Sequence, residues 1–410
     1  MIASKILSTS PQQLKKSRMV RRISGLPVVQ GTIDLLLGHH GTRAVLRATL
    51  ASQQAKNSSS IDIVLVSSNG AGLGHLTRLE AITRRLRGSS VIYTLSKGYH
   101  KLGKRAEDLV YFPSARTLDL NPRTWNTLLF NHFGSFIASS NPKVIVFDGT
   151  YLYSGIVDVS KTLNIPLVWI RRGRWRGEVK EQSIQYNSPL DFCDLVIVPG
   201  EYAETDELPV NRESIHVSPV LVYEHKELLG REHAIRNLGL DPSLKYVLVQ
   251  LGAGTINQIG GWVNAACSEI LDLGEDWKPV LLSNPLNEES DLPVGAEVIE
   301  AFPISLYLNA FEFAIVAAGY NSVQEAIAAG LPCITVPNLS TVTDDQEARA
   351  AAIHQAGLGF NVDSLGTLKS AIETLSFPEN RRMMSNRQDK QASPDGAKQI
   401  ADILQEKYLS

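Results

Sequence analysis

The sequence predicts an α/β protein made of two Rossmann-like domains facing each other across a cleft, behind a basic helical amino-terminal extension. Three observations carry this. Short runs rich in Val and Ile alternate with helix-like stretches from Ile61 onward. The alternation pauses over 201–226 and then restarts. Glycine-rich turns follow strand-like runs in both halves. A chain of 410 residues is also too long for one ordinary core and suits two domains of about 150–200 residues each.

Taken in order, residues 1–60 carry nine Lys or Arg against one acid, Asp34, and end in the polar stretch SQQAKNSSS, a linker by composition. Partly helical spacing of apolar and basic residues makes this extension either an amphipathic arm on an anionic membrane surface, or a helical or poorly ordered appendage. The first domain is expected over 61–222. Its strand-like runs are IDIVLVSS, SVIYTLS, LVYFPS, KVIVFDG, IPLVWIRR and DLVIVPGE, with helices through about Arg87 and near 124–139 and 153–163. Continuous apolar runs of this length mark parallel strands buried on both faces, and helical crossovers make the units right-handed. Residues 201–226 are polar and proline-punctuated, with one more strand-like piece, IHVSPVLV. The second domain, expected over 223–410, restarts with KYVLVQLGAG, KPVLLS, AEVIEAF, FEFAIVAAG and LPCITVPN, with helices near 260–273 and 322–329.

Composition narrows the function. A formal net charge of −2 argues against a nucleic-acid binder. Three cysteines without Cys-x-x-Cys spacing argue against a disulfide framework or a cysteine zinc site and fit a reducing compartment. No apolar run reaches the ~18 residues needed to span a bilayer. The expected location is cytoplasmic, with peripheral contact at the inner membrane face through residues 1–60.

In open α/β sheets, ligands bind beyond the carboxyl ends of strands, where glycine allows close approach and helix starts offer free N–H groups to anions. Three loops qualify: 69–75 with Gly70, Gly72 and Gly74 before His75, 251–257 with Gly252, Gly254 and Thr255, and 318–322 with Gly319, Asn321 and Ser322. Each is also explained by turn geometry alone. The first lacks G-x-G-x-x-G spacing, and there is no G-x-x-x-x-G-K-[ST], so the usual dinucleotide and P-loop readings are disfavoured.

The stretch AAGYNSVQEAIAAGLPCITVPNLSTVTDDQEARAAAIHQAGLG, residues 317–359, resembles the donor half of GT-B glycosyltransferases, above all the MurG type that moves N-acetylglucosamine from UDP to a lipid-linked acceptor. The shared order is a strand, Gly-x-x-Ser, a helical Glu, Ala-Gly-x-Pro, a strand and an acidic residue before Gln. GAGLGH, residues 70–75, is similar to that family's first glycine loop, whereas residues 1–60 have no counterpart. The resemblance implies that Glu325 takes the ribose hydroxyls and that Phe302 meets the uracil through its backbone. Gly252, Gly254, Thr255, Gly319, Asn321 and Ser322 would hold the diphosphate, Asp345 and Gln346 the donor sugar, and Gly72 and Gly74 would line the acceptor side. In each case a structural role is the alternative; Asp345 beside Gln346, for instance, is also a helix-capping cluster.

Transfer from a nucleotide sugar needs a base for the acceptor's proton. His75 is the first candidate, since imidazole titrates near neutrality and a helix start can hold it neutral, and Asp148 at a strand end is the second. Helix dipoles and backbone N–H groups can take the leaving charge, and no Asp-x-Asp pair occurs to bridge a metal, so a metal-independent reaction with no cofactor beyond the UDP-sugar co-substrate is expected. Inversion at the sugar carbon is implied by the resemblance. WIRRGRWRG, residues 169–177, makes Arg172 and Arg174 a clamp for an anionic acceptor, or else part of a basic loop paired with the opposite domain. A nucleotide-sugar hydrolase or epimerase, and a non-catalytic nucleotide-sugar-binding partner, are the competing functions.

Overall fold

The computed structural model describes residues 61–68, 73–102, 108–204, 214–252, 259–283, 293–391 and 395–409. The basic extension over 1–60, Gly72, Gly254 and Thr255 lie outside the described residues.

The first sheet has seven parallel strands: β1 Ile63–Ser67, β2 Ser90–Thr94, β3 Leu109–Tyr111, β4 Val144–Asp148, β5 Leu167–Ile170, β6 Leu195–Pro199 and β7 Ser214–Val217. Their spatial order is β3-β2-β1-β4-β5-β6-β7. Both central strands, β1 and β4, are buried along their whole length, as continuous apolar runs covered on two faces must be. The two-residue period then divides them. Val64 and Val66 pack with Phe130, Phe133 and Trp169 on one face, and Ile63 and Leu65 with Leu76, Leu79 and Ile82 on the other.

Helices α1 Gly74–Thr83, α2 Pro122–Ser140 and α3 Ser154–Leu163 supply those covers. α2 shows why its bounds fall where they do. The Asn121 side chain accepts from the Thr124 N–H, Pro122 opens the first turn, and Asn141 ends it at φ 48°. The predicted helices near 124–139 and 153–163 differ from α2 and α3 by a residue or two, as helix ends usually do.

The second sheet has six parallel strands: β8 Lys245–Gln250, β9 Trp277–Leu282, β10 Glu297–Ile299, β11 Phe313–Ala317, β12 Cys333–Val336 and β13 Phe360–Asn361, in the order β10-β9-β8-β11-β12-β13. Tyr246 and Leu248 face one layer of its core, Val247 and Val249 the other. Helices α4 Ile259–Leu271, α5 Tyr320–Ala328, α6 Gln346–Gln355, α7 Leu365–Ser376 and α8 Pro378–Gln388 follow.

One boundary needs correcting. The last helix, α9 Gly396–Leu404, does not belong to the second domain. Ala397, Ile400 and Leu404 are buried with Leu76, Ile82, Val217 and Val220 in the first domain's core, so the 223–410 range runs too far. The physical reason is a strongly one-sided apolar stripe, whose partner surface is α1 and β7. Gly396 is required there, because a Cβ would strike the Ser218 and Pro219 carbonyls. Arg85 ties both chain crossings together: its Nη1 donates to the Val222 carbonyl at 2.9 Å and its Nε to Asp395 Oδ2 at 2.7 Å.

Each sheet has one place where the strand order reverses direction, between β1 and β4 in the first and between β8 and β11 in the second. Ligand crevices form at such points. The loops after β1, β8 and β11 are the three glycine turns of the sequence, and Asp148 ends β4.

Candidate active site

α1 starts just after the first reversal point and places His75 and Arg78 three residues apart on one helix face. Both point at Asp148, which is fully buried. His75 Nδ1 lies 2.7 Å from Asp148 Oδ1, Arg78 Nη2 2.5 Å from the same oxygen, and Arg78 Nε 2.8 Å from Oδ2. Arg78 Nη2 is also 2.9 Å from His75 Nδ1. The carboxylate can only accept, so its 2.7 Å contact calls for a proton on Nδ1 and leaves the lone pair of the neutral ring on Nε2. Arg78 Nη2 then spends its hydrogens on Asp148, and its approach to Nδ1 is a contact rather than a hydrogen bond.

Electrostatics reinforce that assignment. Burial pushes the His75 imidazole down to about 4; Asp148 opposes the shift, while Arg172 and Arg78 add to it. Burial pushes the Asp148 carboxyl up, but Arg78 and His75 outweigh this and hold it below the usual carboxylate range. Asp148 is therefore held as an ionised carboxylate. Forked by Arg78, it is an orienting carboxylate for a neutral imidazole.

The second domain meets this cluster directly. Asn321, in the first turn of α5, accepts from Arg78 Nη1 at 3.1 Å and donates to the Gly74 carbonyl at 3.0 Å. Its side chain is thus engaged across the cleft rather than open to a diphosphate, a change from the expected role. Beside it, the Tyr320 ring lies under Arg78, 5.4 Å from the guanidinium carbon, and its hydroxyl donates to the Gly200 carbonyl. A deeper ion cluster also joins the halves. Arg349 of α6 forks Glu201 at 2.6 Å through both Nε and Nη2, reaches Asp344 at 2.9 Å, and donates to the Ala318 carbonyl at 2.9 Å.

The arginine loop after β5 divides its work. Trp175 forms an antiparallel bridge with Asp344, and Arg174 accepts the Asp345 N–H through its carbonyl at 2.7 Å. Arg174 Nη1 donates to the Ala348 carbonyl and Arg176 Nε to the Thr341 carbonyl. Arg174 is therefore a strut to the second domain, not an open acceptor clamp; the Ala348 carbonyl in the first turn of α6 captures its guanidinium. Arg172 differs. Its guanidinium has no hydrogen-bond partner among the described residues and lies in the field of Asp344, Arg78, Arg349, Asp148 and His75.

On the donor side, Gly252, the second residue after β8, has φ 111°, a backbone setting that favours glycine. Gly319 precedes α5, and a Cβ there would meet nothing within 4 Å, so open space faces that helix start. Ser322 lies in the same first turn, half-buried. Glu325 sits one turn further on; burial alone pushes its carboxyl up to about 8, and it has no hydrogen-bond or ion-pair partner among the described residues. Phe302 is half-buried on the loop after β10, ahead of a cis bond to Pro303. Asp345 caps α6 by accepting from the Ala348 N–H, and the Gln346 amide accepts from the Asn338 N–H and donates to Asp344. Both side chains are thus satisfied locally, which is the capping alternative.

Sequence reasoning missed Arg78, Glu201, Asp344 and Arg349. Spacing from His75 could have found Arg78. Nothing could have paired Glu201 with Arg349, which lie 148 positions apart. No group of three or more His, Cys, Asp or Glu able to hold a metal occurs among the described residues.

Residues 283–400 match the Glycosyltransferase family 28 C-terminal domain. A UDP-N-acetylglucosamine–N-acetylmuramyl-(pentapeptide) pyrophosphoryl-undecaprenol N-acetylglucosamine transferase of Phocaeicola vulgatus is 27% identical over 184 residues, which are 42% of this chain and 49% of that protein. The chain thus spans about half the length of that curated relative. Among solved structures, Acinetobacter baumannii MurG superposes with a TM-score of 0.53 at 14% identity, covering 84% of this chain and 99% of its own. The spinosyn rhamnosyltransferase SpnG complexed with thymidine diphosphate gives the same TM-score, 0.53, at 14% identity, over 84% of this chain and all of its own, 100%. At these identities the likeness speaks for the fold. Residues 283–400 thus resemble the Glycosyltransferase family 28 C-terminal domain, and the chain as a whole has the two-domain fold seen in GT-B glycosyltransferases.

Proposed function

We propose that this protein is a glycosyltransferase that moves a sugar from a nucleoside diphosphate sugar, UDP being the expected nucleotide, to an acceptor hydroxyl, with inversion and without a metal ion. The observation that carries the reading is the alignment of two reversal points. A neutral His75 backed by Asp148 stands at one, and the start of α5 with open space before Gly319 stands at the other.

His75 Nε2 takes the acceptor proton as the acceptor oxygen attacks the sugar carbon from the face opposite the nucleotide. Asp148 and Arg78 hold the ring while it becomes imidazolium. The bond to the diphosphate breaks, and its charge falls to the N–H groups opening α5, the Ser322 hydroxyl and Arg172. Glu325 would accept from the ribose hydroxyls. The Phocaeicola relative is named for an undecaprenyl diphosphate acceptor and the SpnG complex contains thymidine diphosphate, which supports a lipid-linked acceptor and a nucleoside diphosphate donor here. Peripheral membrane contact through residues 1–60 belongs to the same reading, and liposome flotation against a chain starting near Ser58 tests it.

A hydrolase is the second reading. Arg174 and Arg176 are spent on carbonyls of the second domain, which removes part of the ground for an acceptor clamp, and the same imidazole could activate water.

One experiment separates them. The protein is incubated with UDP- and TDP-sugars, with and without polyprenyl diphosphate-linked and simple hydroxyl acceptors, in a chelating buffer, and products are resolved by mass. Transfer predicts an acceptor-bound sugar, hydrolysis a free one. No nucleotide release under any condition, together with no nucleotide binding, refutes both. His75→Ala should lower turnover about 10²–10⁴-fold while nucleotide affinity changes less than about twofold.

A further inference from the structure

Arg78 is almost wholly buried, 1% accessible, yet it stands on the edge of the first domain facing the second. A buried guanidinium costs several kcal/mol unless its donors are used. Here the use is divided between domains. Two nitrogens fork Asp148, and the third binds Asn321 of the opposite half. Asn321 in turn grips the Gly74 carbonyl, one residue before the base. Separation of the halves breaks both Asn321 bonds and leaves the fork to Asp148 intact.

We propose that Arg78 is a positioning residue that locks Asp148 as acceptor of the His75 Nδ1 proton, and that Asn321, bound to the same guanidinium, latches the closed position of the cleft. The inference rests on the glycosyltransferase reading for its purpose, but its content is the geometry of the ring. The charged groups facing His75 are Asp148 at the end of β4, Arg78 on α1 and Arg172 after β5; from α5 the neutral Asn321 and Tyr320 approach through Arg78. Removing Arg78 would take away a nearby positive charge and give Asp148 wholly to the imidazole. Both changes favour the protonated ring. A residue that merely filled space would do neither.

The test reads the ring without any substrate, so it stands or falls apart from the transfer assay. The full chain is labelled with ¹⁵N-histidine, His75 is assigned by comparison with His75→Gln, and its nitrogens are followed from pH 4 to 9. In the parent protein, a neutral ring protonated at Nδ1 is expected across most of that range. Arg78→Met should move the His75 titration upward by more than one pH unit. Arg78→Lys keeps the charge without the fork and should leave the titration nearly in place while mixing the two tautomers. Asn321→Ala should alter neither, but should lengthen the distance between spin labels placed on the two domains. A His75 titration and tautomer unchanged in both Arg78 variants overturns the proposal. If Arg78→Met does not fold, an unmixed Nδ1–H tautomer in Arg78→Lys overturns it alone. An unchanged label distance in Asn321→Ala overturns the latch.

Discussion

Replacing Glu201 by Gln perturbs the interface between domains at its most buried ion pair. The side chains of Arg349 and Glu201 are 1% and 4% exposed, and two contacts of 2.6 Å join them. Breaking such a pair from one side costs about 3–5 kcal/mol, because the remaining charge is stranded. Arg349 would keep Asp344 and the Ala318 carbonyl, so the lower end, about 3 kcal/mol, is expected, although one amide hydrogen of the new Gln would face the guanidinium. For domains of this size each kcal/mol moves the melting midpoint by about 2–4 °C, so a fall of roughly 6–12 °C follows. Lys398–Asp402 is an internal control, an exposed i,i+4 pair whose loss in Asp402→Asn should cost about 0.3–0.5 kcal/mol. Calorimetry at low and high salt reads both. The large drop should persist in salt, since buried pairs are poorly screened, and should come with separation of one transition into two as the halves uncouple. A Glu201→Gln shift no greater than that of Asp402→Asn would refute the reasoning.

Further expectations concern protons and packing. His75 has its folded value lowered from 6.5 to about 4, so the unfolded chain binds more protons between those values. Its contribution of roughly 3 kcal/mol is therefore fully present above pH 6.5 and lost as pH falls towards 4. In urea titrations the stability of the parent should fall relative to that of His75→Gln by about this amount over that window. Glu325, pushed up to about 8, is largely protonated near neutrality and must lose its proton to act as a carboxylate acceptor. Nucleotide affinity measured by calorimetry should therefore rise with pH between 7 and 9, with proton release that Glu325→Gln abolishes. Gly396→Ala should cost about 1–3 kcal/mol by overpacking against the Ser218 and Pro219 carbonyls, detected as a lowered melting midpoint.

The architecture was legible because parallel strands buried on both faces leave unbroken Val and Ile runs, as IDIVLV and KVIVF do. The positions of His75 and Asp148 near one another also follow from the sheet, since each ends or follows a strand beside the reversal point. Their actual relation did not, because it depends on Arg78, whose guanidinium forks Asp148 and holds its carboxylate beside the His75 ring. Asn321, Arg174 and Asp345 were read as ligand contacts, yet each finds a protein partner instead. Pairings across a domain interface carry no local period, so neither the Asn321 clasp nor Glu201 with Arg349 left a trace in spacing. The return of α9 to the first domain was hidden for a similar reason: an amphipathic stripe tells that a surface is covered, not whose.

That return has a topological meaning. The second domain begins and ends on the first, so it is an insertion carried on two adjacent covalent tethers, and Arg85 staples those tethers side by side at Val222 and Asp395. Paired tethers act as an axle: they permit the donor half to swing but resist its twisting about the other. They also make it a cassette bounded by two points on one side of the molecule, whereas shortening the chain from its carboxyl end would strip the apolar wall behind helix α1.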